Sequence, residues 1–440
     1  MIEFAIMSSN ANITSGSPSD KANGKKRISR HVWARFAAMV ATSALGAFNE
    51  NFFKEAAMLV AIEAGKGYLQ GYGTMVFTLP FILFAAPAGW LADRLSKGRV
   101  IIGVKLFEVF AMSLGAYGLY TGNWPLLFTM ASLMATQSVI SSPAMNGSIP
   151  ELFPEELVRK ANAIMTVLVL SAILAGVAGA GFTLGWKGGI WSGTPHGRQL
   201  VMFIAVAATV AGFLASLGVP RFPAAYREKR FPWKGPIYTL KALYDISFDR
   251  LLAVTVAVNV LTYALGSLQI QIINQLGLWQ LHAGETVTGL MIVAELAGFG
   301  AGGFASNLAA RGSRWYRVLW PAMGSMAGSM CLIAAVPLLT GPWRLRMFFA
   351  LFFAAGAAGG MLLVACKSFI QVRAADSTRG TTLAAVNFAI YSGILLSGPA
   401  ANLLNSHILP TTSYGILGFF SLLSAIVLFF LLGKKSRFLT

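Results

Sequence analysis

This chain has little charge, little cysteine and no cluster of residues whose spacing spells out catalysis. Charged residues make up only 11% of its 440 positions, where a soluble domain carries about a quarter. Its two cysteines, Cys331 and Cys366, lie in apolar runs. That excludes a disulfide framework and reads them as small buried residues. The four histidines, His31, His196, His282 and His407, stand isolated near loop ends. Metal-ligand spacing is therefore absent, and no glycine-rich phosphate loop follows a strand pattern. No nucleophile–base pair is readable, so the expectation is no enzyme, no catalytic residue, no metal and no cofactor. A soluble catalytic domain has no stretch in which to sit.

What the chain does have is apolar sequence, 56% of it, with a mean hydropathy of +0.66. Twelve runs reach spanning length, at about 32–62, 70–92, 99–120, 125–148, 162–185, 198–219, 250–273, 284–309, 316–338, 345–366, 381–405 and 412–433. The expected fold class is an all-α polytopic membrane protein with 12 transmembrane helices in two six-helix bundles, 31–219 and 250–433. A net charge of +18 would suggest nucleic acid in a soluble protein. Here most Lys and Arg fall between runs on one side, so topology explains them and no nucleic-acid partner is expected. The positive-inside rule then puts both termini in the cytoplasm. Residues 1–30 form a basic, Ser- and Asn-rich tail of disordered composition, and 434–440 form a second basic tail. The segment 220–249 divides the halves. Within it Ile237, Leu240, Tyr244 and Phe248 recur at helical spacing, which suggests an amphipathic helix on the membrane surface.

The stretch GAFNENFFKEA, Gly46–Ala56, puts Glu50, Lys54 and Glu55 inside the first apolar run. Ionisable groups at bilayer depth usually face a bundle interior or a water-filled path. Glu50 and Lys54 are spaced i, i+4 and share a helix face. Two readings stand: a self-neutralising structural pair, or a polar substrate or ion site flanked by Asn49 and Asn51. Glu295 in the eighth run has no basic residue three or four positions away. It is either a neutral, hydrogen-bonded carboxyl or a group that titrates for Na+ or H+ coupling, as Glu50 also could. Lys105 and Glu108 suit local pairing and snorkelling. Run 7, with Asn259, Tyr263, Ser267, Gln269, Gln271 and Asn274, reads as the wall of a water-lined cavity. So does the part of run 4 carrying Gln137, Ser141, Ser142 and Asn146. The glycines of runs 8 and 10, Gly298, Gly300, Gly302 and Gly303 with Gly356, Gly359 and Gly360, read as helix-packing surfaces.

Two further patterns carry a resemblance. GWLADRLSKGRV follows run 2 and GGFASNLAARGSRW follows run 8, the half-to-half likeness of repeat-built membrane proteins. The first resembles the loop 2–3 signature of the major facilitator superfamily, filled by Gly89, Leu91, Ala92, Asp93, Arg94, Gly98 and Arg99. It would act as a latch, with Gly89 allowing close helix approach and Asp93 facing a helix N-terminus. GAFNENFF, VKLFEVF, SSPAMNGSIPELFPEELVRKANAIM, SAILAGVAGAGF and GGMLLVACKSFIQ together resemble the lysophospholipid transporter family. The likeness is greatest to the transporter module of acyltransferase-fused forms.

The resemblance implies the major facilitator fold, alternating access, and movement of lysophospholipids across a bacterial inner membrane by a monomer. The acyltransferase would then be a separate protein. The alternatives are a cation-coupled exporter of a drug or other small amphiphilic solute, or a membrane scaffold without transport. Candidate substrate-binding residues are Glu50, Lys54, Asn49, Asn146, Asn259, Gln271, Lys367 and Asn387. The chain departs from the family where Met145 replaces a helix-4 Lys and where Gln269 or Gln271 replaces a helix-7 basic residue. Ala365 and Lys367 replace Pro and Asn.

Overall fold

A computed structural model describes residues 29–186, 196–223, 231, 233, 235–309, 315–341, 343–373 and 379–432. The two terminal tails and much of the 220–234 stretch expected as linker lie outside the described residues. Fourteen α-helices account for nearly all of the rest, in the order α1 Arg30–Glu63, α2 Leu69–Leu83, α3 Ala85–Arg94, α4 Lys97–Thr121, α5 Trp124–Leu152, α6 Glu155–Leu184 and α7 His196–Ser216. After these come α8 Gly235–Phe248, α9 Arg250–Gln275, α10 Gly284–Ala309, α11 Leu319–Ala335, α12 Trp343–Arg373, α13 Arg379–His407 and α14 Pro410–Leu432. Among the described residues nine helices are individually long and apolar enough to span. The bent pair α2–α3 makes a tenth span. Helices α1 and α5, of 34 and 29 residues, complete the 12; polar residues dilute their hydropathy. The even number leaves the start of α1 and the end of α14 on one side, called here the tail side.

Local chemistry sets the helix ends. Asn123 caps α5 by accepting from the Leu126 N–H at 3.2 Å, and Gly122 closes α4 at φ 66°, which favours glycine. Span 2 breaks at Phe84 with a 50° bend. Pro87 explains it, since it has no N–H for the Leu83 carbonyl and its ring displaces that carbonyl. Asp249 caps α9 through the Leu252 N–H at 3.1 Å and also accepts from Arg373 Nε at 2.7 Å. Partial burial pushes its carboxyl up, but the bonds from Arg373 and Leu252 prevail and hold it below the usual carboxylate range. A depressed folded pKa stabilises above the unfolded value and is lost as pH falls through the folded one. Arg373 is largely exposed, so this clamp of α9 to α12 is a small term.

The packing repeats between halves. Helix α1 lies on α6 as α9 lies on α13, α4 on α7 as α11 on α14, and α2 on α5 as α10 on α12. The halves meet through α2 on α13 and α6 on α10. These crossings are tight at small residues: Gly71 lies against Gly398, and Gly181 lies against Gly289 and the Glu285 backbone. Gly298 and Gly302 of α10 face the Phe353 and Ala357 carbonyls of α12, while Gly356 and Gly360 face those of Glu295 and Phe299. The packing surface expected of these glycines is present. The stretch between the halves carries a helix with one buried and one exposed face. In α8, Ala242 and Ile246 are buried, while Ile237, Leu240, Tyr244 and Phe248 are exposed.

The latch motif needs one correction. A side chain at Gly89 would meet nothing within 4 Å, so that glycine is not a close-approach point. Gly98 is: it lies against the Pro220 carbonyl, where a Cβ would collide. Arg94 covers the Trp90 ring at 5.0 Å, and Arg99 is exposed. Lys97, one residue before Gly98, pairs with Glu151 and ties α4 to the end of α5. One cysteine expectation also fails. Cys366 is buried, but Cys331 is exposed on α11, where an outer helix of the bundle gives it less cover.

Candidate functional site: a charged group beside an apolar cavity

The 3.6-residue period separates the residues of Gly46–Ala56 among three faces of α1. Asn49, fully buried, donates to Thr209 Oγ1 of α7 at 2.5 Å. It is thus a tie between helices, set apart from Glu50. Asn51 donates to its own helix at the Ala47 carbonyl. On the face toward α5, Glu50 Oε2 accepts from Ser138 Oγ at 2.5 Å, and Gln137 Nε2 donates to that hydroxyl at 3.0 Å. Lys54, one turn on, donates to Asn51 Oδ1 at 3.4 Å and lies 5.0 Å from the Phe77 ring centre. Among the described residues no carboxylate forms an ion pair with Lys54. Glu50 and Lys54 thus make no direct ion pair, each side chain bonding a different neighbour, though Lys54 stays within electrostatic range of Glu50.

Behind Glu50 lies a second charged pair. Lys105 Nζ and Glu108 Oε2 of α4 are 2.5 Å apart, with side chains 6% and 1% exposed. The local pairing expected of them is formed, but at this burial they do not snorkel. They face α1 at Gly46, where a Cβ would collide with the Lys105 ammonium. Glycine at that position makes room for the pair, which lies within electrostatic range of Glu50. Tyr391 of α13, stacked on Phe81 at 4.4 Å, is also within range of Glu50. The opposite half thus presents a phenol toward the group.

Glu50 and Lys54 line a partly open cavity in the N-terminal half. Its wall is otherwise almost wholly apolar, with Phe53, Ala57, Phe77, Leu127, Met130 and Met134 among the lining residues. Gln70 is the one other polar lining residue. It accepts from Asn274 Nδ2 at 3.2 Å, and Asn274 also faces the Glu55 carboxyl. These residues join α1 and α2 to α9 across the halves, at the end away from the tail side. A side chain at Gly67 would meet Gln275 there, and Thr286 donates to the Gly181 carbonyl at 3.2 Å. Glu63 meets Arg198 at 3.4 Å and lies beside Glu285.

Other sequence-predicted residues lie elsewhere. Asn259 and Gln271 are buried within the C-terminal half, each with an amide oxygen that lacks a hydrogen bond. Gln269 is buried there too, and Asn274 is buried at its contact with Gln70 of the other half, so these residues of α9 are enclosed by protein rather than set in a water-lined wall. The cause is the packing of α9 against α12, α13 and α14 together. Asn146, Lys367 and Asn387 are exposed toward the tail-side ends of α5, α12 and α13. Glu295 is 5% exposed, and its Oε2 is buried without a hydrogen bond. Its neighbourhood includes Tyr414 of α14, and its backbone lies in the α10–α12 glycine seam. Sequence reasoning missed Ser138, Gln70 and Tyr391. Ser138 follows Gln137 in a polar stretch, which was a usable signal; the other two gave none.

No family model matches the chain. The lysophospholipid transporter LplT of Citrobacter koseri is 30% identical over 201 residues, 44% of this chain and 45% of that protein. The Serratia proteamaculans protein of the same name is 28% identical over 195 residues, 43% and 44% of the two chains. The matched stretch thus spans about half the length of these relatives. Among solved structures, the E. coli xylose transporter XylE in an inward open conformation aligns over 92% of this chain and 96% of its own. The TM-score is 0.64 and the identity 13%. An auto-inhibited POT family peptide transporter aligns over 92% and 97%, with a TM-score of 0.65 and 14% identity. A bacterial homologue of the iron transporter ferroportin gives 0.64 and 15% over 92% and 98%. The chain has the fold of the major facilitator transporters, and over its matched part it is similar to the lysophospholipid transporters.

Proposed function

We propose that this protein moves lysophospholipids across a bacterial inner membrane by alternating access between its two halves. The termini would lie in the cytoplasm and the product would pass to an acyltransferase. The observation that carries the reading is the junction of Glu50 and Lys54 with an apolar cavity at membrane depth. A lysophosphatidylethanolamine has an ammonium for Glu50, a phosphate for Lys54 and an acyl chain for the apolar wall. Each charge-assisted bond contributes about 1.5–3 kcal/mol. The similarity to named lysophospholipid transporters supports the same substrate class.

The test is movement of labelled lysophosphatidylethanolamine into vesicles holding the purified protein, with and without an imposed Na+ or H+ gradient. Gradient-stimulated movement supports coupling, for which Glu50 and Glu295 are the candidates. Glu50→Gln keeps a partner for Ser138 and removes the charge. It is expected to lower movement between tenfold and about a hundredfold, the equivalent of one lost charge-assisted bond, with melting unchanged. Unaltered movement by folded Glu50→Gln protein would sink the head-site assignment. Movement of a soluble amphiphile and of no lysolipid would favour the exporter reading.

Closure at the far end gives a second prediction. Asn274→Leu removes the amide that joins Gln70 and faces Glu55, leaving a buried carboxyl with less polar contact. The bundles should separate there more often. A cysteine pair at positions 67 and 275 is expected to crosslink less completely in the variant than in the parent. Equal crosslinking would show that this contact does not hold the end shut.

A further inference from the structure

We propose that the cavity within the N-terminal half is an acyl-chain site that measures tail length. On this view the tail is taken inside the bundle and does not remain in the bilayer. The proposal rests on the amphiphile reading above and names the part of the site that selects the hydrocarbon.

The cavity lies between α1, α2, α4 and α5, so one half alone forms it. Glu50 and Lys54 are its charged lining residues, and it continues past Ala57 to Ala61, Leu69 and Trp124. From Glu50 to Ala61 the helical rise is roughly 16 Å. That length suits an extended chain and is far too long for a sugar or a small ion. The lining also suits a chain. Its polar groups gather at the Glu50 end, apart from Gln70, which is already engaged by Asn274. Four methionines, Met58, Met112, Met130 and Met134, contribute to the wall, and such side chains repack around flexible apolar ligands. Lys54 lies with the acid Glu50 at one end of the shaft, which gives a zwitterionic head both of its partners there and sends the tail toward Trp124, whose ring is covered by Lys66 at 5.5 Å. Because the shaft belongs to one half, its occupant would travel with that half while the other rocks against it.

Gly73 offers a way to shorten the shaft without disturbing its walls. A Cβ there meets only the Phe128 ring, at 3.8 Å, so Gly73→Leu projects into free space. Ala131→Phe, on the facing helix, is a second variant in case the first folds poorly. In vesicles, either variant is expected to lower oleoyl-lysophosphatidylethanolamine movement roughly tenfold relative to the decanoyl compound, the change given by about two fewer buried methylenes. Equal loss for both chain lengths, or no change in their ratio, overturns the chain-length site.

A second readout does not depend on transport. A lysolipid brominated near its methyl end should quench the fluorescence of Trp124. The quenched component should be missing from Trp124→Phe protein and reduced in Gly73→Leu protein. Absence of that component in the parent overturns the tail site. Quenching without movement of any lysolipid would keep the tail site and overturn the transport reading instead.

Discussion

Lys105→Met is expected to cost about 3–5 kcal/mol, the penalty for leaving one member of a buried ion pair uncompensated. The Glu108 side chain is 1% exposed and has Lys105 as its ion-pair partner at 2.5 Å. Removing the ammonium leaves Glu108 facing Glu50, another acid within electrostatic range. The Glu108 carboxyl cannot reach water without parting α1 from α4. A loss of this size is a large fraction of the stability of a whole domain, about 5–15 kcal/mol, and should lower the melting temperature clearly. Lys105→Met/Glu108→Leu should recover most of the stability, since apolar replacement of both members of a buried pair is often neutral or better. Melting of the purified protein in detergent, followed by size-exclusion chromatography, reads both effects. A Lys105→Met protein that melts with the parent would show that the pair is solvated. A double variant as unstable as the single one would show that Lys105 serves something besides Glu108.

The difference between what the chain spells out and what it hides follows from the range of each interaction. Spans are legible because every backbone group in lipid must be satisfied within its own helix, so apolar length maps directly onto structure. The bend at Phe84 is local too, since Pro87 acts one turn away. The glycine seam of α10 and α12 could be read because four-residue spacing places small residues on one stripe. Pairing across helices is another matter. Spacing puts Glu50 and Lys54 on one face but does not reveal that Ser138, 88 residues away, takes the carboxylate. Lys105 sits near a helix end, which suggests snorkelling, but nothing local shows that Gly46 opens a pocket for it. Gly89 and Gly98 belong to the same motif, and only the fold shows which meets a neighbour. The polar residues of α9 suggested contact with water because their density would be costly in lipid. Enclosure by protein meets that constraint equally well, and sequence does not separate the two.

The α10–α12 seam carries the other large effect. Gly302→Val is expected to prevent accumulation of folded protein. Its Cβ would fall on the Ala357 carbonyl oxygen, with the Ala357 carbon and Cα close behind. Overpacking a core typically costs 1–3 kcal/mol, occasionally more, when side chains can move aside. Here the obstacle is helix backbone, and the same crowding recurs at Gly298, Gly356 and Gly360. Relieving it at one position means parting the two helices along the whole seam. That would also draw Glu295 from its place beside α12, because its own carbonyl lies against Gly356. Gly328→Ala is the matched control. It lies in the same half, in α11, with nothing within 4 Å of the added carbon. There the gain in helix propensity, up to about 1 kcal/mol, should act alone and leave expression and melting at or slightly above the parent. Detergent-extracted yield and fluorescence-detected size exclusion compare the two directly. If Gly302→Val protein eluted as a single symmetric peak with the parent's melting temperature, the close approach would not hold these helices together. If Gly328→Ala fell as far as Gly302→Val, the loss would belong to glycine replacement in general and not to this contact.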